Sequence, residues 1–253
     1  RPGIAGNRTI LGVMPDWNPA EIIGTTPRPL ASSTYRNLVT RKVWREARTR
    51  MGYRRLPSEE LMVMIGGHPY IDVRNSFNSF LPEGLDDSIC DPLVDAWIDR
   101  LDAHPELHDK VEFEVAQTCL NFTFDEEFSQ RYEGVLGVEG FRTFKNAAQH
   151  LTNQNVTLAD EGTLALSLDV IDRLTTIQGR RQMLPEKRRG LEPLLYATDL
   201  LEECRQMGTL PFSIIARHAF IAEALLRSAV RRDALTQERL ITFRRTIRSI
   251  TSE

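Results

Sequence analysis

One polar segment of the chain combines an acid, a base and two small hydrogen-bonding side chains. Asp72 and Arg74 are two residues apart, so in a β-strand both side chains lie on the same face. Asn78 and Ser79 follow at the predicted end of that strand, where ligands often bind. Because a guanidinium can form two parallel hydrogen bonds to a phosphate or carboxylate, the segment predicts an anion site around Arg74. The alternative is a surface ion pair between Asp72 and Arg74, followed by a turn-rich loop whose phenylalanines belong to the core.

A second candidate lies in the alternating segment 111–115, which follows a lysine. The alternation predicts a short strand, and a helix remains an alternative because the pattern is brief. On a strand, Lys110, Glu112 and Glu114 share one face, with the two carboxylates about 7 Å apart. Such a pair can hold a cation or act as a general base, with Lys110 neutralising it. The alternative is a solvated strand face, or salt bridges between domains.

The chain has a rigid, proline-rich junction near its start, because prolines fix φ and remove backbone donors. The prolines of this junction occupy positions 15, 19, 27 and 29. Asp16 or Asn18 is placed to cap a short helical turn that begins at Pro19. A segment this constrained holds Trp17, Asn18 and Glu21 in fixed positions. These three side chains either reach a bound ligand or a neighbouring domain, or Trp17 simply anchors the junction.

The elements that must position these residues are mostly helical. The hydrophobic pattern predicts helices over residues 32–51, 86–103, 138–152, 158–178, 185–207, 211–231 and 236–252. It predicts short strands over residues 9–14, 61–65, 70–73 and 111–115. Gly52 suits the C-terminal cap of the first helix, and Gly208 with Pro211 indicates a break between two late helices. The sequence therefore predicts a mainly α fold of the α+β class, a helical domain with a small β-hairpin or sheet in its first half.

Composition and charge are those of an ordinary globular protein. The 253 residues carry a formal charge of -3, with 41% hydrophobic and 26% charged residues. This near-neutral charge argues against nonspecific nucleic-acid binding, and no apolar run predicts a membrane span. The cysteines are odd in number and form no CxxC pair, which favours a reduced, cytoplasmic protein without a zinc site. Because the chain begins with Arg1 rather than methionine, we expect it to be a piece of a longer polypeptide.

Three segments of the chain resemble one family of enzymes. The junction around Trp17, the segment 66–82 and the segment 107–114 are similar to phosphoenolpyruvate synthase-like and pyruvate phosphate dikinase-like phosphotransferases. The junction resembles the sequence that follows the ATP-grasp domain in that family. The other two segments resemble uncharacterised phosphoenolpyruvate synthase-like proteins. The resemblance covers most of the chain and indicates a family more specifically than a substrate.

The resemblance implies a reaction that needs three parts. An ATP-grasp domain binds ATP and magnesium, a mobile domain carries a phosphorylatable histidine, and a third region binds the phosphoryl acceptor. The chain has no recognisable form of the first two parts. The resemblance therefore implies that residues 1–30 are a linker and junction, and that residues 31–253 are a mostly helical acceptor or connector domain. Its expected partners are the other two domains and a small-molecule acceptor, with no nucleic acid, no membrane and no cofactor held by this chain.

Two main hypotheses about function follow. In the first, this central domain contributes to acceptor binding while the chemistry is completed by the other domains. In the second, it is a noncatalytic scaffold that fixes the distance between the nucleotide and histidine domains. A weaker third hypothesis is a free-standing helical binding protein. Under the first hypothesis, the chain alone is expected to be catalytically inactive.

Overall fold

The computed structural model describes residues 3–13, 17–57, 60–181 and 191–246, without the side chains of residues 175–181. Helices dominate, and a small antiparallel sheet lies in the first half, as the sequence predicts. The strands are β1 Leu11–Gly12, β2 Met62–Ile65 and β3 His68–Asp72. The α-helices are α1 Pro19–Ile23, α2 Pro29–Tyr35, α3 Val43–Arg50, α4 Val73–Asn78, α5 Asp87–Ala103, α6 Phe124–Tyr132, α7 Val138–Val156, α8 Thr163–Arg181, α9 Glu192–Cys204, α10 Leu210–Arg231 and α11 Gln237–Thr246. Shorter helical turns are the 3₁₀ turn Pro105–Leu107 and the π-helical turns Arg36–Thr40, Val111–Val115 and Arg205–Thr209.

The sheet is built around one hairpin. β3 is the central strand and pairs antiparallel with both β1 and β2, with Met62 opposite Ile71. Gly66 and Gly67 make the two-residue connection, with φ of +57° and +85°. Tight hairpin turns of this kind need left-handed residues at both positions, which glycine adopts without strain. The predicted hairpin is therefore confirmed, although β3 begins at His68, earlier than predicted.

The first long predicted helix is divided into two. α2 begins at Pro29, whose fixed φ suits the first turn, and runs directly into the π-helical turn Arg36–Thr40. α3 then begins at Val43 and ends at Arg50, with Gly52 at φ +90° just after it. The helix predicted over 32–51 thus starts earlier and is interrupted, while its predicted glycine cap lies where expected.

One core forms around α5, which matches the helix predicted over 86–103. Trp97 on α5 is fully buried, and its ring lies edge-on to Phe77 at 5.9 Å between centroids. Phe144 of α7 packs on Trp97 at 6.4 Å. Residues of α4, α6 and α7 complete this cluster. Burial of such large rings makes this cluster a main source of stability.

A second core joins α3, α7 and α10. Its buried members include Val43 on α3, Leu151 on α7, and Ile214 and Ile221 on α10. On the other side of α3, Trp44 is 1% exposed and packs in a separate cluster with residues of the sheet region. α3 therefore contributes to both clusters and links the sheet to the late helices.

The late helices differ from the prediction at one clear point. The chain runs as continuous helix through Glu192–Arg231, so the predicted break at Gly208 and Pro211 is wrong. A π-helical turn precedes α10, in which the Leu210 N–H bonds to the Arg205 carbonyl. Because Pro211 has no N–H to donate, this wider turn accommodates it without ending the helix. The predicted starts and ends at residues 14, 185 and 252, together with Pro15 and Asp16, lie outside the described residues.

The continuous helix is also the one described segment that is long and apolar enough to cross a membrane by length and composition. Of its most apolar window, 39% is buried inside the molecule. Core helices of soluble proteins meet the same criteria, so the composition alone is weak evidence for a span. Since Ile214 and Ile221 lie in the second core, the packing favours a core helix of a soluble protein.

Candidate functional site

A cavity of about 410 Å³ is lined by α3, α10, the π-helical turn Val111–Val115 and the junction. We refer to it as the aromatic cavity. Its aromatic residues are Trp17, Trp44, Phe113, Phe212 and Phe220. Its charged residues are Arg48, Asp109, Glu112 and Arg217. Apolar walls with a few polar groups are typical of small-molecule sites.

Another cavity shares Glu112 and Phe113 with it and has a volume of only about 20 Å³. A space of this size holds a single water molecule. Its polar residues, including Glu127 and Arg131, are engaged in ion pairs with each other and with neighbours. A third cavity, of about 370 Å³, is lined mainly by charged and polar side chains of α3 and its surroundings. Volume together with aromatic walls therefore makes the aromatic cavity the candidate functional site.

α10 presents two rows of side chains to the aromatic cavity. Phe212, Ala216 and Phe220 are four residues apart and share one helix face, and Ser213 and Arg217 form the adjacent row. Sequence reasoning missed all five. Their helical spacing is readable, but an arginine on a predicted helix is usually a solvated residue, so nothing in the pattern marked Arg217 as buried.

Arg217 carries a buried charge at this site. Its side chain is 4% exposed and forms an ion pair with Glu112, whose side chain is 13% exposed. It also donates a hydrogen bond of 2.8 Å to Thr118 Oγ1, and its guanidinium lies 5.4 Å from the ring centroids of both Phe80 and Phe220. Burial alone lowers the pKa of Arg217, but the Glu112 carboxylate outweighs this effect and raises that pKa above its usual value. Arg217 therefore stays charged inside the protein.

Arg48 of α3 supplies a second buried guanidinium. It is 6% exposed, donates a hydrogen bond to Ser79 Oγ, and stacks 4.1 Å from the centroid of the Phe80 ring. Ser79 was predicted as a ligand contact, but it does not line the aromatic cavity. It is instead a partner that helps to fix the position of Arg48.

Trp17 lines the aromatic cavity and is also anchored. Its backbone carbonyl accepts a hydrogen bond from the Tyr35 hydroxyl, and its ring lies 6.2 Å from that of Phe212. Its φ of +39° is uncommon for a residue with a side chain. Asn18 caps α1, because its Oδ1 accepts the Glu21 N–H at 3.2 Å and its Nδ2 donates to Glu21 Oε2 at 3.0 Å. Asn18 and Glu21 therefore fix the turn that carries Trp17 and do not line the cavity.

The segment around Arg74 has a different geometry from the predicted strand. Asp72 ends β3 and caps α4, and Arg74 lies within α4, so the two do not alternate on one strand face. Arg74 donates to the backbone carbonyls of residues 4 and 5, at 2.7 and 2.8 Å. Asn78 donates to the carbonyl of Ala5 at 2.9 Å. These three side chains hold the start of the chain and none of them lines the aromatic cavity.

The predicted strand over 111–115 is also wrong, because these residues form a π-helical turn. Glu112 lines the aromatic cavity, whereas Glu114 pairs with Arg131 at 3.0 Å. Lys110 is exposed and does not line the cavity. The two carboxylates therefore do not act together as a pair, and only Glu112 belongs to the candidate site.

The described residues offer no metal cluster, and the aromatic cavity has no thiol on its wall: two of the three cysteines are buried, and the exposed Cys204 lies on α9 and does not line the cavity. In the part of the chain that the structure describes, no group of three or more His, Cys, Asp or Glu side chains could hold a metal ion. Cys90 and Cys119 are buried, and burial raises the pKa of each thiol to about 11. Both thiols are therefore neutral near pH 7 and weak nucleophiles.

Comparisons with known proteins add no identification. A scan against protein-family models finds no match, and searches of curated proteins and of solved structures find none either.

Proposed function

We propose that this chain is the acceptor-binding central domain of an ATP-dependent phosphotransferase that resembles phosphoenolpyruvate synthase. The acceptor binds in the aromatic cavity, while ATP, magnesium and the phosphorylated histidine belong to other domains of the same protein. One observation supports the proposal most strongly. Trp17 and Glu112 come from two of the segments that resemble this family, and both line the same cavity.

The chemistry of the aromatic cavity suits an acceptor site. Phosphoryl transfer depends mainly on positioning and on neutralising the charge of the transferred group. Aromatic rings cover the apolar faces of a bound molecule, and Arg217 and Arg48 supply positive charge in surroundings that exclude water. Glu112 holds Arg217 in place and can accept a hydrogen bond from a hydroxyl of the acceptor.

The division of labour between domains follows from the resemblance. It assigns nucleotide binding to another domain, so we expect no ATP turnover by this chain alone. The cysteines within the described residues are all unpaired, which supports a cytoplasmic location.

A scaffold function remains the second candidate, and a specific observation favours it. Asp72, Arg74 and Asn78 make hydrogen bonds inside the domain, so the polar segment that best predicted a site has a structural role. If the aromatic cavity binds nothing, a connector between domains is the function that remains.

Thermal unfolding of the purified chain tests the proposal. The panel consists of pyruvate, phosphoenolpyruvate, glucose 6-phosphate and ATP with magnesium. A ligand present at about 100 times its dissociation constant stabilises the folded state by about 2.7 kcal/mol, which is a readable shift. We expect stabilisation by a compound of the panel other than ATP.

Two variants of α10 locate the binding. Ala216→Trp fills the aromatic cavity from its wall, and Ala222→Trp adds the same ring at an exposed position of the same helix. We expect the first variant to abolish the shift and the second to keep it. Stabilisation by ATP, or a shift that Ala216→Trp leaves intact, would contradict the proposed site.

A further inference from the structure

The aromatic cavity is large for the simplest acceptor that the resemblance suggests. Its volume of about 410 Å³ falls within the range of about 300–1,000 Å³ that is typical of sites for drug-sized ligands. A three-carbon acid such as pyruvate would fill only a minor part of this space. Because unfilled apolar walls forfeit dispersion and hydrophobic contacts, a good ligand for the cavity must have a larger body.

The walls indicate what that body is. Two pairs of rings line the cavity: Trp17 with Phe212 at 6.2 Å, and Phe113 with Phe220 at 5.7 Å between centroids. Phe212 and Phe220 are exposed by 55% and 39%, so their faces remain available for contact. Exposed aromatic faces bind flat or ring-shaped molecules by stacking, which favours a ligand that contains a ring.

The polar groups of the wall indicate the other end of the ligand. Nine side-chain nitrogen or oxygen atoms of the described residues are shielded from solvent and have no hydrogen-bond partner, and three of them are Trp44 Nε1, Ser213 Oγ and Arg217 Nε. All three side chains line the aromatic cavity. Buried polar groups are nearly always paired in folded proteins, so three such donors at one cavity need an explanation. A ligand rich in acceptor oxygens supplies the missing partners, after small side-chain rotations that expose the donors.

The charge of Arg217 makes an anionic oxygen group the best acceptor. The guanidinium remains charged, and it already binds one carboxylate, that of Glu112. Its Nε is still available for a charge-assisted hydrogen bond, which is stronger than a neutral one. Ser213 lies one helical turn before Arg217 on the same row of α10, so one ligand group can contact both.

We propose that the aromatic cavity binds a ring-bearing molecule with an anionic head, the head contacting Ser213 and Arg217 and the ring lying between the aromatic side chains. This inference rests on the proposed function, because it names the class of acceptor that the same cavity takes. The head is a carboxylate or a phosphate, which share the chemistry that these donors recognise.

Isothermal titration calorimetry of the 253-residue chain with four small-molecule probes tests the inference. Indole-3-acetate carries a ring and a carboxylate, phenyl phosphate a ring and a phosphate, indole-3-ethanol a ring alone and pyruvate an anion alone. We expect at least one ring-bearing anion to bind at least about tenfold more tightly than both indole-3-ethanol and pyruvate, the size of one charge-assisted contact. The stronger of the first two probes identifies the head group.

Variants separate the ligand class from the location of the site. Ser213→Ala removes one donor with little change of shape. It should weaken the binding of the ring-bearing anion severalfold and leave the affinity for indole-3-ethanol unchanged. Ala216→Trp should abolish binding, and Ala222→Trp should not. Ser213→Ala also keeps the test valid if the Ala216→Trp variant fails to fold.

Each contrary result has a distinct meaning. If indole-3-ethanol binds as tightly as the ring-bearing anions, the ligand does not need an anionic head. If pyruvate binds as tightly as they do, the ligand does not need a ring. No binding by either ring-bearing anion would overturn the inference as a whole, while pyruvate binding that Ala216→Trp abolishes would leave the proposed function standing. Binding of a ring-bearing anion that a folded Ala216→Trp variant retains would instead contradict the proposed function itself.

Discussion

Arg217 keeps its charge where water does not reach it, and one carboxylate compensates most of that charge. Its side chain is 4% exposed, and its ion-pair partner Glu112 is 13% exposed. A buried pair of this kind contributes little net stability, because taking both charges out of water is costly. Removing one partner is different, since the remaining charge is then buried alone. The folded protein should therefore tolerate the loss of both residues better than the loss of either one alone.

Replacing Glu112 tests this dependence. We expect Glu112→Ala to lower the free energy of unfolding by about 3–5 kcal/mol, because Arg217 loses its counter-charge. Adding Arg217→Met to that variant should recover a large part of the loss. Urea denaturation measures both effects.

The exposed pair of Glu139 and Arg142 is the matched control. Their side chains are 74% and 69% exposed, so Glu139→Ala should change stability by no more than about 1 kcal/mol. If Glu112→Ala and Glu139→Ala lower the free energy of unfolding equally, the burial of Arg217 does not determine the cost of removing its carboxylate partner.

His218, next to Arg217 on α10, makes stability depend on pH. Its Nε2 lies 2.9 Å from Thr163 Oγ1, at a separate cavity of about 210 Å³. Burial lowers its pKa below the usual 6.5, and nearby Arg217 lowers it further, against a backbone hydrogen bond with Asn155 that raises it. The unfolded chain therefore binds a proton on this residue at a higher pH than the folded chain.

The sign of the pH effect follows from linkage. The contribution of His218 to stability is complete above the unfolded pKa of 6.5 and is lost as pH falls through the lower, folded value. We expect His218→Gln to show a smaller loss of stability than the wild type between pH 7 and pH 5, in thermal unfolding scans. His150→Gln, at an exposed position, is the control for loss of an imidazole. If the melting temperature of His218→Gln depends on pH between 7 and 5 as steeply as that of the wild type, this prediction is contradicted.

At the scale of elements, the start of the chain is held along α5 by a row of aspartates. Asp91 accepts a hydrogen bond from the Gly6 N–H at 2.8 Å, and Asp95 accepts one from the Asn7 N–H at 2.7 Å. Gly6 has φ +86°, and a Cβ added to it would lie 2.9 Å from Val94 Cγ1. The close approach of this segment to α5 therefore requires glycine at position 6.

Substitution of Gly6 measures how tightly the segment is held. We expect Gly6→Ala to destabilise the protein by about 2–4 kcal/mol, because a left-handed φ and the contact with Val94 both cost energy. Gly84→Ala is the matched control. Gly84 has φ +84° but no atom within 4 Å of an added Cβ, so only the backbone cost, about 1–2 kcal/mol, applies. Equal effects in urea denaturation would show that the segment can move away from α5.

Some elements could be predicted because their signals are local. α5 has a long apolar periodicity, and the hairpin has two glycines between apolar runs, so both were found from the sequence. The strand predicted over 111–115 is wrong and its helical alternative is closer, because five alternating residues are too few to separate a strand from one helical turn. In the structure Val111 and Val115 are buried together on one side of that turn.

The candidate site could be predicted only in part, for a physical reason. Trp17 and Glu112 line the aromatic cavity, but the residues that complete it, including Arg217 and Phe220, lie more than a hundred positions beyond Glu112 and about two hundred beyond Trp17. Contacts of this kind depend on how α10 packs against α3, which local patterns do not encode. Hydrogen bonds to the start of the chain likewise explain why Arg74 has a structural role.

At the scale of the whole molecule, the tryptophans report on different regions. Trp17 and Trp44 line the aromatic cavity. Trp97 is fully buried in the core around α5 and does not line the cavity. These are the three tryptophans of the chain, so each indole N–H gives a separate signal in a ¹⁵N-labelled sample.

The most direct test of the central claim is to follow these three indole resonances during a titration with glucose 6-phosphate, and in a second titration with indole-3-acetate. Trp→Phe variants assign each resonance. If the aromatic cavity is the acceptor site, the resonances of Trp17 and Trp44 shift with saturation in at least one titration, and the resonance of Trp97 does not. A saturable shift of Trp97 without the other two, or no response of any resonance to either compound, would contradict the account.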